Sequence, residues 1–273
     1  MKIIAVTNRK GGVGKSTMST HIAAGLALSG LNVGIVDTDS QGHAGLMLGQ
    51  ADENGLYAAL IEKNPLEQVA RLIPQERYVP EGSQYSGGNL WLLPSSDRTY
   101  RIPYELQQDE NFLFLETLEQ FAEWGKLDVI LIDTNPTLSL FDGAVWLAAD
   151  GYIYVTECER LSIDGIQGAI EQMTRINRQR AKYLNRESKI LGIIPNKMRP
   201  STTVHRMNIS AIAEAYPGLV WTPVTLRTAW VEAANLQEMI YRYAPAGQEA
   251  RDAWAIVNKT GEALGGWPVI KTE

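Results

Sequence analysis

Residues 9–17 read Arg-Lys-Gly-Gly-Val-Gly-Lys-Ser-Thr, directly after the apolar run at residues 3–8 and directly before a helical pattern that begins at Lys15. A glycine-rich turn between a strand and a helix has a specific physical use. Gly11, Gly12 and Gly14 carry no Cβ, so the backbone N–H groups from Lys10 to Thr17, that of Val13 included, are free to curl around phosphate oxygens, and the helix N-terminus adds its partial positive charge. Lys15 is spaced to reach the β- and γ-phosphates of a nucleotide, and the Ser16 hydroxyl to ligate Mg²⁺. The ordinary pattern has glycine five residues before Gly14; here that position is Arg9.

The rest of the chain supplies the fold that such a loop needs. Residues 3–8, 33–37, 90–93, 128–133, 152–156, 190–195 and 219–224 read as strands, being β-branched or aromatic and bounded by turn residues. Several are apolar at consecutive positions, which suits a parallel sheet covered on both faces. Helical patterns occupy 15–29, stopped by Gly30, then 111–124, 139–149, 162–184 and 247–264. Their alternation predicts one doubly wound α/β domain over residues 1–273, a mostly parallel sheet with helices on both faces. Between residues 50 and 108 the pattern is broken by Pro65, Pro74, Pro80, Gly82, Gly87 and Gly88, and helices and loops above the sheet are expected there. With 45% hydrophobic and 21% charged residues, disorder is excluded. A net charge of −6 argues against attraction of nucleic acid or anionic lipid by the whole surface, and leaves room for a local basic patch. Cys158 is the single cysteine, so an intrachain disulfide and a cysteine metal cage are out, and a reducing compartment is expected. The N-terminal run is interrupted by Asn8, Arg9 and Lys10 before it could serve as a signal peptide, and no apolar span follows.

Three acids stand where strands meet ligands. Asp37 and Asp39 close the second strand two residues apart, which puts both carboxylates on one side of an extended chain. Asp133 ends the run Val-Ile-Leu-Ile at residues 129–132, the arrangement of a Walker B strand, whose carboxylate holds Mg²⁺ through water.

Taken together, KGGVGKST with its additional Lys10, then VGIVDTDSQGHA, NLWLLPSS, DVILIDTNP, VTECERLSIDGI and RTAWVEAANLQEMIYRYAP resemble the ParA/MinD family of deviant Walker A P-loop ATPases. The match is to the short, Soj-like form without an N-terminal helix-turn-helix domain, because the phosphate loop begins at residue 9. The resemblance implies a P-loop NTPase fold that binds ATP and Mg²⁺. It implies that Lys10 reaches across an ATP-sandwich homodimer to the partner's nucleotide, that Asp39 orients or activates the attacking water, and that Asp37 supports the Mg²⁺ shell. It places Asn196 at adenine N6 and N7 and Pro223 on the other side of the base. Ser40, His43 and Asn135 depart from the family's usual proline, asparagine and proline, which puts the behaviour of the two switch segments in doubt.

Residues 175–189 carry six cations and one anion in an otherwise acidic chain. If the segment is helical throughout, Arg175, Arg178, Lys182, Arg186 and Lys189 form one stripe suited to phosphates of non-specific DNA, unless Asn185 ends the helix. Family relatives bind DNA in this way as ATP dimers and are stimulated by a ParB-like partner, so the expectation is a cytoplasmic, nucleoid-associated ATPase that partitions plasmid or chromosomal DNA or positions other cargo. A MinD-like membrane cycle would need a basic amphipathic C-terminal helix, whereas residues 265–273 hold two glycines, a proline and one lysine, so no membrane partner is expected. Metabolic enzymes of the superfamily fit less well. The iron-sulfur reductases need two cysteines, and the biotin-pathway enzymes usually lack the equivalent of Lys10.

Overall fold

Consecutive apolar residues build the middle of the sheet, because each central strand is buried on both faces. The structure, a computed structural model, describes residues 1–50, 53–85, 87–106, 112–135, 140–159 and 162–266. In chain order its elements are β1 (Lys2–Thr7), α1 (Lys15–Leu28), β2 (Val33–Asp37), α2 (His43–Met47), α3 (Gly55–Leu60), α4 (Leu66–Val69), β3 (Arg71–Leu72), β4 (Leu90–Leu93), α5 (Ile102–Glu105), α6 (Leu113–Gly125), β5 (Val129–Asp133), α7 (Leu140–Ala148), β6 (Gly151–Glu157), α8 (Ser162–Leu184), β7 (Lys189–Asn196), α9 (Thr203–Ala215), α10 (Ala229–Asn235), α11 (Ile240–Tyr243) and α12 (Gln248–Ala263). The sheet runs β3-β4-β2-β5-β1-β6-β7, with every described neighbour parallel except β3 against β4.

Strand periodicity divides the core into two layers. Ile4, Val6, Val129 and Leu131 face a cluster completed by Ile22 of α1, Ala233 of α10 and Ile256 of α12. Ile3, Ala5, Ile130 and Ile132 face the opposite way, onto Leu56 of α3, Phe121 of α6, Val145 of α7 and Ile166 of α8. The doubly wound architecture is as the sequence implied, and it brings the carboxyl ends of β1, β2 and β5 side by side, where ligands of such sheets bind. No helix among the described residues is long and apolar enough to cross a membrane.

Three expectations need correction. Residues 219–224 do not form a strand; they run beside β7 and touch it through the isolated parallel bridge of Ile193 with Val220, and a second bridge joins Met198 to Thr225 just beyond both segments. Pro195 and Pro223 have no N–H to donate, so the ladder cannot continue. Within residues 50–108 the chain is not wholly helix and loop above the sheet: Arg71–Leu72 adds a short antiparallel edge strand, too brief to show periodicity. The basic stripe is also shorter than five residues. Helix α8 ends at Leu184, with Asn185 in the left-handed region at φ 52°, so Arg186 lies in the turn and Lys189 opens β7. Arg175, Arg178 and Lys182 remain on α8 and are exposed. Residues 111 and 139, where two helices were expected to start, and the tail at 267–273 lie outside the described residues.

Candidate nucleotide-binding site

The phosphate loop is held from both sides. On the β1 side Asn8, buried, donates from Nδ2 to the Val155 carbonyl at 2.6 Å, while its Oδ1 accepts from the Lys10 N–H at 2.8 Å and from the Tyr154 hydroxyl at 3.2 Å. Sequence reading passed over Asn8; the available signal was a polar residue closing an apolar strand just before the loop. Arg9 leaves the loop and donates to Gln172 of α8 at 2.8 Å. Gly12 and Gly14 adopt φ of 74° and 96°, which a Cβ would strain. At Gly14 that Cβ would also lie 2.2 Å from Asn196 Nδ2. Asn196 stands this close because its amide donates to the Val13 carbonyl at 2.7 Å, while its Oδ1 accepts from the Lys197 N–H at 2.8 Å. Asn196 therefore braces the loop in this structure. Pro223 is half-buried, next to Val224, whose N–H donates to the Pro195 carbonyl at 2.8 Å.

Lys15 opens α1 with only 6% of its surface exposed, and its Nζ lies 3.4 Å from the Lys10 carbonyl. Burial pushes its pKa down, opposed by the charges of Asp133 and Asp39. Asp37 and Asp133 are in-register neighbours at the ends of β2 and β5, both fully buried. Asp37 accepts from the backbone N–H groups of Asp39 and Ala44, each at 3.0 Å, and so shapes the turn that carries Asp39. Burial, then the Asp133 charge, raises its pKa well above the usual carboxylate range. Asp133 accepts from the Ser19 hydroxyl at 3.0 Å; burial raises its pKa to about 6, with the Ser16 and Ser19 hydroxyls holding it lower than burial alone would. Asp39 is half-buried; its Oδ1 accepts from the Gln41 N–H at 3.1 Å, and its carbonyl accepts from the Ser95 hydroxyl at 2.5 Å.

The donor set fits a magnesium nucleotide. Asp133 Oδ2 is buried with no hydrogen-bond partner, a costly arrangement unless a cation or its water shell supplies one. The Ser16 hydroxyl, which lowers the Asp133 pKa, belongs to the loop itself. Among the described residues no three His, Cys, Asp or Glu side chains converge on a point, which suits an ion held partly by phosphate oxygens.

Lys10 lies on the outer side of the loop, where its Nζ donates to Glu157 at 2.5 Å and to Glu159 at 2.8 Å. These acids raise its pKa to about 12, the hydrogen bond that Lys10 donates to Glu157 contributing most. The α8 stripe begins at Arg175, about one turn beyond Gln172, the residue that Arg9 bonds. Arg180, counted among the cations of residues 175–189, is not a surface charge: it is 1% exposed and pairs with Asp150 at 2.8 Å.

A family model described as an AAA domain matches residues 1–188. The sporulation initiation inhibitor protein Soj of Bacillus subtilis is 29% identical over 255 residues, covering 91% of this chain and 94% of that protein. Among solved structures, an ATP complex of a McdA variant from Cyanothece superposes with a TM-score of 0.75 at 19% identity, over 99% of each chain. Cobyrinic acid a,c-diamide synthase of Mycobacterium smegmatis, bound to an ATP analogue and magnesium, reaches a TM-score of 0.74 at 20% identity over 99% of each chain, so these likenesses establish the fold and leave the activity to the site. With the family model spanning the loop, both acid-ended strands and α8, the chain belongs to the AAA-domain family, in its ParA/MinD-like branch of partition ATPases.

Proposed function

We propose that the chain is a Mg²⁺-dependent ATPase of the ParA type, which positions DNA or other cargo through an ATP-bound homodimer that binds DNA non-specifically and is stimulated by a ParB-like partner. The supporting observation is the buried Asp133 carboxylate with a free Oδ2 beside Ser16, at the mouth of a loop carrying Lys15. Backbone N–H groups of residues 11–17 hold the phosphates, and the Lys15 ammonium neutralises the β- and γ-oxygens. Mg²⁺, held through Ser16 and Asp133 with Asp37 behind them, supplies charge neutralisation when bound. Asp39, on the turn that Asp37 shapes, orients a water in line with the γ-phosphorus; the bond to the bridging oxygen breaks and ADP and phosphate leave. Asn196, already against Val13, and Pro223 flank the adenine. Lys10 is the residue that reaches the partner's nucleotide, and it favours this reading over a biotin-pathway enzyme. The single buried Cys158 likewise disfavours an iron-sulfur reductase.

Phosphate release with and without chelation of Mg²⁺, run beside sedimentation in ATP and in ADP, tests the reading. Turnover that needs Mg²⁺ and a dimer seen only with ATP are expected. A chain that stays monomeric in ATP would return the proposal to a plain nucleotide-binding enzyme.

A further inference from the structure

At the ends of β6 and β7, Glu157 and Asn196 are in-register neighbours. The Glu157 carboxylate is shared between two lysines that approach from different elements. Its Oε2 accepts from Lys10 of the phosphate loop at 2.5 Å, and its Oε1 accepts from Lys197, the residue after β7, at 3.0 Å. The Lys197 ammonium also donates to the Gly12 carbonyl. One acid thus ties the loop, β6 and the end of β7 together, with Glu159 adding a second bond to Lys10. Glu157 is held ionised, its pKa lowered by both lysines against the effect of burial.

We propose that Glu157 is a positioning residue that clasps Lys10 within its own protomer, so that ATP-dependent dimerisation has to open this clasp before Lys10 can cross to the partner. The inference rests on the reading of Lys10 given under Proposed function, and it adds a regulator to that step. Lys10 cannot serve its own Glu157 and a nucleotide in the other protomer at once. Lys10 is 53% and Glu157 20% exposed at the side chain. Ion pairs so exposed are individually weak and screened by salt, which suits a contact that a triphosphate must displace. Lys197 keeps Glu157 in place when Lys10 leaves, so the clasp can re-form once the triphosphate is gone.

The test uses the full chain as wild type, Glu157→Gln, Glu157→Asp and Lys10→Ala, with two readouts. The first is the rate at which acetic anhydride labels Lys10 in the nucleotide-free protein, followed by peptide mass spectrometry. Opening the clasp returns Lys10 toward an ordinary lysine, so labelling in Glu157→Gln should quicken by about tenfold. The second is the protein concentration needed for half-dimerisation in Mg²⁺ and ATP, by sedimentation, which should fall by a similar factor. Glu157→Asp, whose shorter side chain cannot span both lysines, should move both readouts part of the way and serves if the Gln variant does not fold. Unchanged labelling overturns the clasp, and faster labelling with unchanged dimerisation overturns its regulatory role. If Lys10→Ala dimerises like the wild type, the crossing of Lys10 to the partner fails instead, while the labelling still decides whether the clasp exists.

Discussion

Asp37 and Asp133 end adjacent parallel strands in the same register, so two carboxylates are buried side by side, with the Lys15 ammonium as the nearby counter-charge of Asp133. Two like charges in a low-dielectric interior are costly, and each raises the pKa of the other. The pair is sustained by backbone N–H donors on Asp37 and by the Ser19 hydroxyl on Asp133. A site wired in this way is prepared for more positive charge than the protein itself supplies.

Lys15→Ala removes the cation that faces Asp133 and Asp39 and that would face the phosphates of a bound nucleotide. Charge-assisted contacts of this kind contribute up to about 3 kcal/mol, so ATP affinity should fall on the order of a hundredfold or more. Titration calorimetry with ATP checks it, and an unchanged affinity would remove the loop from the nucleotide site.

Asp39→Ala should leave ATP binding near wild type while turnover drops about 10² to 10⁴-fold, the range for loss of a general base or water-orienting group. The Asp37-anchored turn survives because its backbone bonds to Asp37 do not involve the Asp39 side chain. The ATP dimer should accumulate in this variant. Full phosphate release would shift the role to another residue, with Asp133 examined first.

Changing Arg178 and Lys182 together to Ala tests the α8 stripe. Each phosphate contact contributes about 0.9 to the slope of log affinity against log salt, and the ATP dimer carries the pair twice, so the slope for ATP-dependent DNA binding should fall by up to about 3.6. Retention of both affinity and slope would make the stripe a solvated helix face and direct attention to Lys197, Arg199 and Arg206.

His21, buried in α1, offers a test of pH dependence in the folded state. Its Nδ1–H donates to the Thr17 carbonyl at 2.7 Å, and its Nε2 accepts from the Ile240 N–H at 3.0 Å. Only the neutral ring can do both, and burial lowers its pKa to about 4. Because the folded pKa lies below the unfolded value near 6.5, the contribution of His21 is complete above pH 6.5. It is lost as the pH falls toward 4, about 3 kcal/mol in all. In His21→Gln, which cannot titrate, the loss of unfolding free energy between pH 7 and 4.5 should be about 2 kcal/mol smaller than in wild type. Equal losses in urea titrations would mean that His21 is not the titrating group.

The elements legible from the chain were those with strong local signatures. The run at residues 33–37 and the helical pattern at 162–184 coincide with β2 and α8 to the residue. Helices α9 and α10 were not read, since their exposed faces carry Val204, Met207 and Val231 and blur any apolar stripe, and α11, four residues long, is too short to show a period. Arg180 looked like one more surface cation; its burial depends on Asp150, thirty residues away, arriving on the β6 side of α8.

By itself the amino-acid order determined the strand-loop-helix unit around Lys15, the parallel α/β class and the placing of Asp37 and Asp133 at strand ends, because glycine spacing and apolar runs are local properties of the chain; Asp39 lies past the strand, on the turn that Asp37 shapes. Only the tertiary structure decided which distant groups meet. Asn196 against Val13, Glu157 between Lys10 and Lys197, and Asp37 beside Asp133 are set by strand order and register. Those depend on how the two core layers pack, and no short window of sequence contains that information.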